Sequence, residues 1–406
     1  MEDMHRNEHY TQILSIPCIP APSRRSWRFT TIESHPVMDA GYHGPMTMGS
    51  RLATWFSNAA RDLPWRSDPP DPYHVLVSEL MLQQTRVAQV IPKFRAFIHR
   101  FPTLEHLAGA DEAEVLSAWS GLGYYRRARQ LLETARRVVA GPGVLPHTAD
   151  RLKELPGIGP YTAAAVASLA FGSEEPLLDG NVLRVAARVL ACKGEARSAA
   201  ARGRFLAWVG SLMNDTPPRV VNEALMELGA TVCIPRRPRC DLCPLRGDCA
   251  AFREGRAEDY PAPLRRRTVE EESWVAACAV GEDGRWLLKR VEEGPILRGL
   301  WLPPWCISAA GEEEESVARA SELLPEALQP AGIGDVVKHA ITYRRIWVQP
   351  VVFVYEPGVI EENNWALADP MAPRLPTSSL LRKLVASVKN LNQETWEGGE
   401  EDAVSN

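Results

Sequence analysis

The sequence contains no long apolar run. No stretch reaches the ~18–20 consecutive apolar residues that a membrane-spanning helix requires. The first 30 residues include Glu2, Asp3 and Glu8 and have no continuous apolar core, which argues against a secretory signal and a transit peptide. We therefore expect a cytoplasmic protein with no membrane partner. A length of 406 residues and a hydrophobic content of 45% predict two or three domains with buried cores.

The chain also lacks the net positive charge that is typical of nucleic-acid-binding proteins, since its net charge is −5 and its pI is near 6.1. The charge is unevenly distributed. Residues 49–262 contain 27 Lys and Arg against 23 Asp and Glu, whereas residues 263–406 contain 15 against 23. The middle of the chain is therefore the better candidate for a polyanionic partner. Arginines in this part cluster in two groups: Arg126, Arg127, Arg129, Arg136 and Arg137 form the first, and Arg236, Arg237 and Arg239 form the second. Ordinary solvated helix faces and loops would also explain these clusters.

Changes in periodicity divide the chain into five segments. Residues 1–48 show no sustained pattern and are predicted to form a loose N-terminal extension. Residues 49–254 are predicted to be all-helical, and residues 255–272 to be a polar linker. Residues 273–388 alternate strand and helix patterns, which predicts an α+β domain. Residues 389–406 are acidic and predicted to be a disordered tail.

Apolar spacing predicts individual elements within these segments. Helices are expected at 51–60, 75–97, 112–119, 126–139, 163–171, 182–192, 204–213 and 221–228. In the second domain, strands are expected at 274–280, 286–289 and 347–355, and helices at 316–324 and 380–388. Ser316 is predicted to cap the first of these helices and Pro325 to stop it.

Four of the eight cysteines fall within 17 residues, at Cys233, Cys240, Cys243 and Cys249. In a reducing compartment, clustered thiols indicate a metal site more often than disulfides. Four thiolates suit either a [4Fe–4S] cluster or Zn²⁺. A zinc ribbon generally has two separate C-x-x-C pairs, whereas the spacing here is C-x6-C-x2-C-x5-C within one compact loop. The pattern therefore favours the iron–sulfur cluster.

The segment at 155–162 has the pattern of a helix–hairpin–helix. Gly157 and Gly159 bracket an apolar residue, and Pro160 stands where a new helix can begin. Such glycines leave backbone N–H groups bare, and these groups can hold a DNA phosphate together with the N-terminus of the following helix. A plain turn between two helices is the alternative.

Two carboxylates stand out by their surroundings. Glu79 lies among apolar residues in a helical pattern, where burial would raise its pKa toward the range of a general acid. Asp179 lies at the predicted start of a helix. Each also has a simpler explanation: Glu79 could face solvent, and Asp179 could be an ordinary N-cap.

Six motifs occur in order ahead of the cysteines: LPWR at 63–66, PYHVLVSELMLQQT at 72–85, GLGYYRRAR at 121–129, LPGIGPYT at 155–162, LDGNVLRV at 178–185 and NEALMELGA at 222–230. In this combination the chain resembles the A/G-specific adenine DNA glycosylases of the helix–hairpin–helix superfamily. The resemblance is specific over residues 50–250 and weaker over 270–388. It implies a catalytic part of two helical subdomains with the active site between them, followed by a Nudix-like α/β/α domain. It also implies a monomeric enzyme with a [4Fe–4S] cluster that acts on double-stranded DNA with adenine opposite 8-oxoguanine or guanine.

The resemblance also implies a role for each matching residue. Glu79 would protonate the flipped adenine at N7, and Asp179 would stabilise the oxocarbenium-like sugar. Within the active site, Asn181 would orient Asp179 or the water, and Tyr161 would line the sugar pocket. Glu223 would bond the adenine edge, and Arg66 would lie near the base pocket.

The remaining residues would contact the DNA. Gln83 and Tyr124 would enter the duplex, Gln84 and Thr85 would contact it, and Gly157 and Gly159 would hold its backbone.

Tyr161 bears on the type of reaction. Endonuclease III-type relatives have a lysine at this position, whose amine attacks the sugar and drives strand cleavage. A phenol cannot form that Schiff base, so a monofunctional glycosylase is expected. Two alternatives stay open: a glycosylase for thymine opposite guanine, which can also carry Tyr here, and a non-catalytic DNA-binding module.

The second domain resembles a Nudix-like fold. Its acidic run at 311–315 does not fit the pattern of a Nudix hydrolase helix, so we expect a recognition domain without pyrophosphatase activity, with this run in a solvated loop. In many family members a His-x-Phe-Ser-His segment inspects the 8-oxoguanine. Here the corresponding residues run from His339 to Tyr343, and Thr342 and Tyr343 are the candidates for lesion recognition through their hydroxyls.

Overall fold

The computed structural model describes residues 46–262, 268–294, 296–308, 312–324, 328–341, 343–355, 364–372 and 375–397. From Thr47 onward the chain forms one compact unit. Most of the predicted N-terminal extension lies outside the described residues. None of the described helices is both long and apolar enough to cross a membrane.

The first part of the described chain is helical, as predicted. Its α-helices are α1 (Met48–Ala59), α2 (Pro72–Leu82), α3 (Val87–Arg100), α4 (Leu104–Ala108), α5 (Glu112–Ala118), α6 (Arg126–Val139), α7 (Ala149–Lys153), α8 (Pro160–Phe171), α9 (Gly180–Val189), α10 (Ala199–Ser211), α11 (Pro218–Thr231) and α12 (Ala250–Arg253). Short 3-10 turns lie between α11 and α12, at Cys240–Leu242 and Arg246–Asp248, and after α12, at Ala257–Asp259.

These helices pack around two separate hydrophobic cores. The first core takes its buried residues from 63–177, and therefore from α2 to α8. The second combines Leu52 of α1 with residues 178–245, which include α9, α10 and α11. The chain crosses from one core to the other between Leu177 and Leu178, immediately before Asp179. The two cores confirm the predicted pair of helical subdomains.

One predicted helix is wrong in extent. The apolar pattern at 75–97 suggests a continuous helix, but the chain breaks between Leu82 at the end of α2 and Val87 at the start of α3. Gln84 adopts a left-handed backbone conformation, with φ of 58°. No Gly or Pro between Leu82 and Val87 signals the break. It is held instead by hydrogen bonds from Arg127 of α6 to backbone carbonyls of Leu80 and Gln83.

The C-terminal part is built on one eight-stranded mixed sheet. Its strands are β1 (Glu270–Gly281), β2 (Trp286–Arg290), β3 (Trp301–Leu302), β4 (Trp305–Ile307), β5 (Gln329–Ile333), β6 (Val337–Ile341), β7 (Arg344–Tyr355) and β8 (Trp365–Ala368). The order is β3-β2-β1-β7-β5, with β4 on β1, β6 on β7 and β8 on β2. The β1–β7 pair is parallel, and the other pairs are antiparallel.

One helix covers each face of this sheet. Helix α13 (Glu313–Ser321) packs on one face through Ala320, and helix α14 (Ser379–Glu397) packs on the other through leucines such as Leu381 and Leu384. This arrangement confirms the predicted helix–sheet–helix architecture. The domain boundaries stay predictions, and β1 begins at Glu270, inside the segment predicted as linker.

Three local predictions in this part are wrong. Helix α13 begins at Glu313 with Glu312 at its N-cap, so Ser316 lies inside the helix and is buried. The predicted solvated acidic loop therefore supplies the first turn of α13, where carboxylates interact favourably with the helix dipole. Helix α14 continues to Glu397 through the first half of the predicted disordered tail. Pro325, Gly311 and residues 398–406 lie outside the described residues.

Candidate active site

A cleft of about 1670 Å³, open to solvent, lies where the two helical cores meet. The first core contributes Glu79 from α2 and Tyr161 from α8. The second contributes Asp179 at the start of α9 and Glu223 from α11. The other sequence-predicted residues that line the cleft are Arg66, Gln83, Gln84, Thr85 and Asn181. Residues far apart in sequence thus meet in one place.

Glu79 is the most perturbed carboxyl group of the cleft. Its side chain is held among apolar neighbours on α2, and the residue is 8% exposed. Burial raises the pKa of Glu79 to about 7, and the nearby negative charges of Asp179 and Glu223 add to the rise. The Tyr161 hydroxyl hydrogen bonds the carboxyl and opposes the rise. The solvent-facing alternative is therefore wrong, and Glu79 can hold a proton at neutral pH.

Asp179 is both the N-cap of α9 and a cleft residue. One carboxylate oxygen accepts a hydrogen bond from the Val182 backbone N–H at 2.6 Å, and the other accepts from the Asn181 amide at 3.2 Å. Burial raises the pKa of Asp179, while these hydrogen bonds and the Arg184 charge lower it. The Arg184 guanidinium also donates to the Asn181 side-chain oxygen at 2.9 Å, which fixes the orientation of the amide.

Close packing brings α11 against this turn. A Cβ at Gly229 would lie 2.6 Å from the Asn181 Cβ, so only glycine allows α11 to approach this closely. The position of Asp179 and Asn181 in the cleft therefore depends on two features: the N-cap hydrogen bond of Asp179, and the lack of a side chain at Gly229.

The wall of the cleft contains an ion-pair network, and sequence analysis missed all its members except Arg66 and Glu223. Glu227 of α11 is fully buried and accepts hydrogen bonds from Arg61. Arg66 lies between two acids, with its guanidinium 3.0 Å from the Glu227 carboxylate and 3.5 Å from that of Glu223. Arg219 approaches Glu223 from the other side at 3.5 Å. The sequence did contain a signal for this network, because Glu223 and Glu227 are four residues apart and therefore share one face of α11.

Two loops converge beside the cleft and carry the residues predicted to enter DNA. The 83–86 loop holds Gln83, Gln84 and Thr85, and the 120–125 loop holds Tyr124. Tyr124 is 42% exposed, and its hydroxyl donates to the Gln84 side-chain oxygen. The Gln83 amide donates to the Thr162 hydroxyl at 3.1 Å, which ties its loop to α8.

The predicted hairpin between α7 and α8 is present. Gly157 has φ of 72°, and a Cβ there would lie 2.4 Å from the Gln130 side chain of α6. Gly159 is the N-cap of α8 and makes no side-chain cap, and the space where its Cβ would stand is open. The Thr134 hydroxyl of α6 donates to the Pro156 carbonyl at 2.7 Å. The first turn of α8 therefore presents backbone N–H groups without a capping side chain.

The four clustered cysteines line one pocket beneath α9 and α11: Cys233, Cys240, Cys243 and Cys249. All four are free thiols. The Arg188 guanidinium lies 3.3 Å from the Cys233 sulfur and also donates to the carbonyls of Ile234 and Pro235. Among the described residues, no group of three or more His, Cys, Asp or Glu side chains could hold a single metal ion. Four unpaired thiols spread around an apolar pocket suit a polynuclear cluster better than one zinc ion.

A second cleft separates the helical part from the sheet domain. The 120–125 loop and the start of α6 form one wall, and Arg298, His339 and Ile341 lie on the other. Burial, with the Lys383 charge nearby, lowers the pKa of His339 to about 4, so its ring is neutral at physiological pH. Tyr343 is half-buried with the Arg344 guanidinium over its ring, and Thr342 lies outside the described residues.

Arg127 is the second feature that sequence analysis missed. The arginine cluster on α6 suggests a solvated helix face, but Arg127 is buried. It falls in the same helical stripe as Leu131, Ala135 and Val138, so the periodicity held the signal.

Residues 77–210 match the HhH-GPD superfamily of base excision DNA repair proteins. The chain is similar to three proteins named adenine DNA glycosylase. It is 36% identical to the Arabidopsis thaliana protein, and the match covers 67% of this chain and 49% of that protein. It is 34% identical to the Mus musculus protein, and the match covers 74% of this chain and 69% of that protein. It is 48% identical to the Mycolicibacterium smegmatis protein over 221 residues, 54% of this chain and 73% of that protein. The match thus spans about half of the plant relative and more than two thirds of the other two.

Proposed function

This chain belongs to the adenine DNA glycosylase family, and we propose that it removes adenine that lies opposite 8-oxoguanine or guanine in double-stranded DNA. The observation that carries this proposal is the pairing of Glu79 with Asp179 in one cleft. Glu79 is protonated near neutral pH, while Asp179 is bonded by donors that favour its charged form. Two carboxyl groups in different protonation states are what acid-assisted cleavage of a glycosidic bond requires.

The reaction begins when the adenine leaves the base stack and enters the cleft. Protonated Glu79 gives its proton to N7 of the adenine, and the bond between C1′ and N9 breaks with its electron pair moving onto the base. The sugar is left with oxocarbenium character. A water molecule then adds to C1′ and loses a proton to a carboxylate of the site. The products are free adenine and an abasic site.

The surrounding residues hold the reacting groups in place. Asp179 stabilises the positive sugar by charge or by transient attack, and Asn181 orients the carboxylate. Tyr161 lines the sugar side of the cleft. Arg66 and Glu223 contact the adenine edge. Among the described residues that line the cleft there is no lysine. The enzyme is therefore a monofunctional glycosylase that leaves the strand uncut.

DNA is held by sequence-independent contacts on either side of this cleft. Gly157 and Gly159 present backbone N–H groups to a phosphate. Arg197, Arg202 and Arg219 give the cleft a positive rim. Gln83, Gln84, Thr85 and Tyr124 contact the duplex, with Gln83 and Tyr124 replacing the stacking lost when the adenine leaves. The enzyme acts as a monomer.

The four clustered cysteines are proposed to hold a [4Fe–4S] cluster as thiolates: Cys233, Cys240, Cys243 and Cys249. When bound, this cluster stabilises the loop that contains Arg236, Arg237 and Arg239, and the chemistry of base release needs no electron from it. Protein purified without oxygen is expected to contain about four irons and to absorb broadly near ~400 nm. One equivalent of zinc without iron would contradict the assignment.

The sheet domain is proposed to recognise 8-oxoguanine and to lack pyrophosphatase activity. Thr342 and Tyr343 are the candidates for lesion contact because their hydroxyls can form hydrogen bonds. Replacing both with Ala and Phe, respectively, is expected to lower the preference for adenine opposite 8-oxoguanine over adenine opposite guanine.

The test of the function is a glycosylase assay on four duplexes, with A opposite 8-oxoguanine, A opposite G, A opposite T and T opposite G. We expect base release from the first two, with strand cleavage only after alkali. Glu79→Gln and Asp179→Asn should abolish release and keep DNA binding, while Glu105→Gln on the exposed surface of α4 serves as the control. Release of thymine instead of adenine would favour the thymine glycosylase alternative. Binding without any release would indicate the non-catalytic alternative.

A further inference from the structure

Arg127 is a buried cation without an acidic partner. It lies in the first turn of α6, is 6% exposed, and no Asp or Glu of the described residues lies within ion-pair distance. A buried charge is costly unless other groups compensate it. Burial does lower the pKa of Arg127 to about 10, but the group is still charged at neutral pH. Something in its surroundings must therefore stabilise the guanidinium.

Backbone carbonyls from two separate loops supply that stabilisation. One terminal nitrogen donates to the carbonyls of Leu80 at 2.6 Å and Met81 at 3.3 Å, at the end of α2, and to the Gln83 carbonyl, at the start of the 83–86 loop. The other terminal nitrogen donates to the carbonyls of Leu122 and Gly123 at 3.1 and 3.2 Å, in the 120–125 loop. The fork of one guanidinium thus bridges both loops, because each of its two nitrogens faces a different one.

Both loops contain a residue whose backbone conformation needs support. Gln84 and Tyr124 have φ of 58° and 49°, in the left-handed region that non-glycine residues rarely adopt. Such conformations persist only where surrounding contacts hold them. The Arg127 guanidinium lies 5.2 Å from the centroid of the Tyr124 ring, and the Tyr124 hydroxyl donates to Gln84. One side chain therefore contacts the backbone of both loops and the ring that projects from one of them.

We propose that Arg127 is a positioning residue that holds the 83–86 and 120–125 loops together in the conformation that enters the DNA duplex. The inference rests on the proposed function, in which these loops carry Gln83 and Tyr124 into the base stack. Arg127 itself does not touch the DNA. Its removal leaves Gln84 and Tyr124 free to relax from their left-handed conformations, and five backbone carbonyls lose a charged donor.

The experiment compares Arg127→Met and Arg127→Lys with Arg136→Met in the full chain. Arg136 is the matched control because it lies on the same helix and also donates to two backbone carbonyls, those of Ala108 and Ala110, away from both loops. Lysine keeps the charge but is a point donor that cannot span the two loops. It separates the effect of geometry from that of charge.

Two readouts are measured on a duplex with adenine opposite 8-oxoguanine. The first is the single-turnover rate of adenine release. The second is the fluorescence rise of 2-aminopurine placed beside the 8-oxoguanine, which reports loss of stacking when the loops enter. Both Arg127 variants should lose at least about tenfold in rate, as expected from lost charged hydrogen bonds, and most of the fluorescence rise. Arg136→Met should stay within about twofold of the wild type in both, since an exposed substitution away from the site has a small effect.

Retention of rate and fluorescence by Arg127→Met would overturn the inference. If that variant does not fold, Arg127→Lys is compared with Tyr124→Ala and with the double variant. Additive losses would overturn the inference, because two residues that act through one contact should not add. If the wild type releases no adenine, the proposed function fails. The fluorescence arm then still decides the inference, which fails if the wild type gives no rise.

Discussion

Glu79 shows how the reactivity of a single carboxyl group depends on its neighbours. An ordinary glutamic acid is ionised at neutral pH, but apolar packing on α2 and the adjacent negative charges raise the pKa of this one to about 7, so that it is partly protonated there. Tyr161 contributes a hydrogen bond but takes no proton from Glu79, because burial and the charges of Glu79 and Asp179 raise the pKa of its phenol and keep the hydroxyl protonated. These environments lead to two predictions for Glu79.

The rate of adenine release should fall as the pH rises through about 7. The proposed general acid must carry its proton, and the protonated fraction of Glu79 falls about tenfold per pH unit above its pKa of about 7. Single-turnover rates between about pH 6 and about pH 9 check this. A flat profile across this range would mean that the proton reaches the base from another group.

Glu79→Gln should make the protein more stable at alkaline pH. The pKa of Glu79 rises from 4.5 to about 7 on folding, so the wild type loses stability as the pH rises from 4.5 to 7 and then levels off. Glutamine avoids this loss of about 3 kcal/mol. The gain of the variant over the wild type in urea unfolding should therefore grow over that window. A pH-independent difference would contradict the pKa assignment.

The sequence predicted the two proposed catalytic carboxylates better than the charged residues that support the site. Glu79 and Asp179 sit in motifs with unusual surroundings, and the structure brings both to the cleft. Arg127 and Glu227 are charged residues, and composition alone assigns such residues to the surface. Their burial depends on partners from distant segments, Leu80 and Arg61 among them. In the sequence, only the helical periodicity of α6 and α11 indicates that these two residues are buried.

Helix α6 supports three structures at once. Its first turn holds the 83–86 and 120–125 loops through Arg127. Its middle contacts the hairpin through Gln130 and Thr134. Arg129, on another face, donates to the Arg298 carbonyl of the sheet domain at 2.8 Å. The sequence predicted the bounds of this helix correctly because its apolar stripe is regular. The three contacts were not predictable, since they depend on where the other elements fold.

Gly157→Ala should destabilise the protein and disturb the hairpin. A Cβ at this position would meet the Gln130 side chain of α6, and φ of 72° is unfavourable for alanine. We expect a loss of about 1–3 kcal/mol in the free energy of unfolding, together with weaker DNA binding. Gly203→Ala is the matched control, because Gly203 lies within α10 with open space around it. That change should stabilise the helix by about 0.5–1 kcal/mol. Equal stability of the Gly157 variant and the wild type would refute the close packing.

The break between α2 and α3 illustrates where sequence reasoning stops at the scale of elements. Apolar spacing runs through 75–97 with no Gly or Pro at the break itself, since Pro92 lies within α3, so a continuous helix was the natural prediction. The structure ends α2 at Leu82 because the Gln83 carbonyl turns away to accept a hydrogen bond from Arg127. Tertiary contacts override local propensity at this point. The override occurs in the loop proposed to enter the DNA.

Across the whole molecule, the sheet domain docks on the same 120–125 loop that carries Tyr124. The Tyr125 hydroxyl donates to the Thr377 carbonyl at 2.6 Å, and the Ser120 hydroxyl donates to the same carbonyl at 3.3 Å. Gly299 lies so close to Arg129 that a Cβ there would stand 1.9 Å from the guanidinium. A net charge of −8 over residues 263–406 gives this domain no general attraction for DNA. Its contribution should therefore depend on how it is positioned.

Tyr125→Phe should lower the preference for adenine opposite 8-oxoguanine over adenine opposite guanine. The change removes one hydroxyl that joins the two domains and keeps the ring packed. A hydrogen bond of this kind contributes about 0.5–1.5 kcal/mol, which corresponds to a loss in preference of up to about tenfold. The measurement is the ratio of single-turnover rates on the two duplexes. The rate on adenine opposite guanine should change little, because Tyr125 lies outside the cleft that holds Glu79 and Asp179.

Tyr73→Phe provides the control for this prediction. The Tyr73 hydroxyl also donates to a backbone carbonyl, that of Phe101 at 2.8 Å, but both residues lie in the first helical core. Each variant should therefore lose a similar amount of stability, and only Tyr125→Phe should change the preference. If both variants keep the full ratio while deletion of residues 273–406 lowers it, the contact at Thr377 does not position the sheet domain. Recognition of 8-oxoguanine would then depend on the contact between Arg129 and the Arg298 carbonyl, or on contacts with the DNA itself.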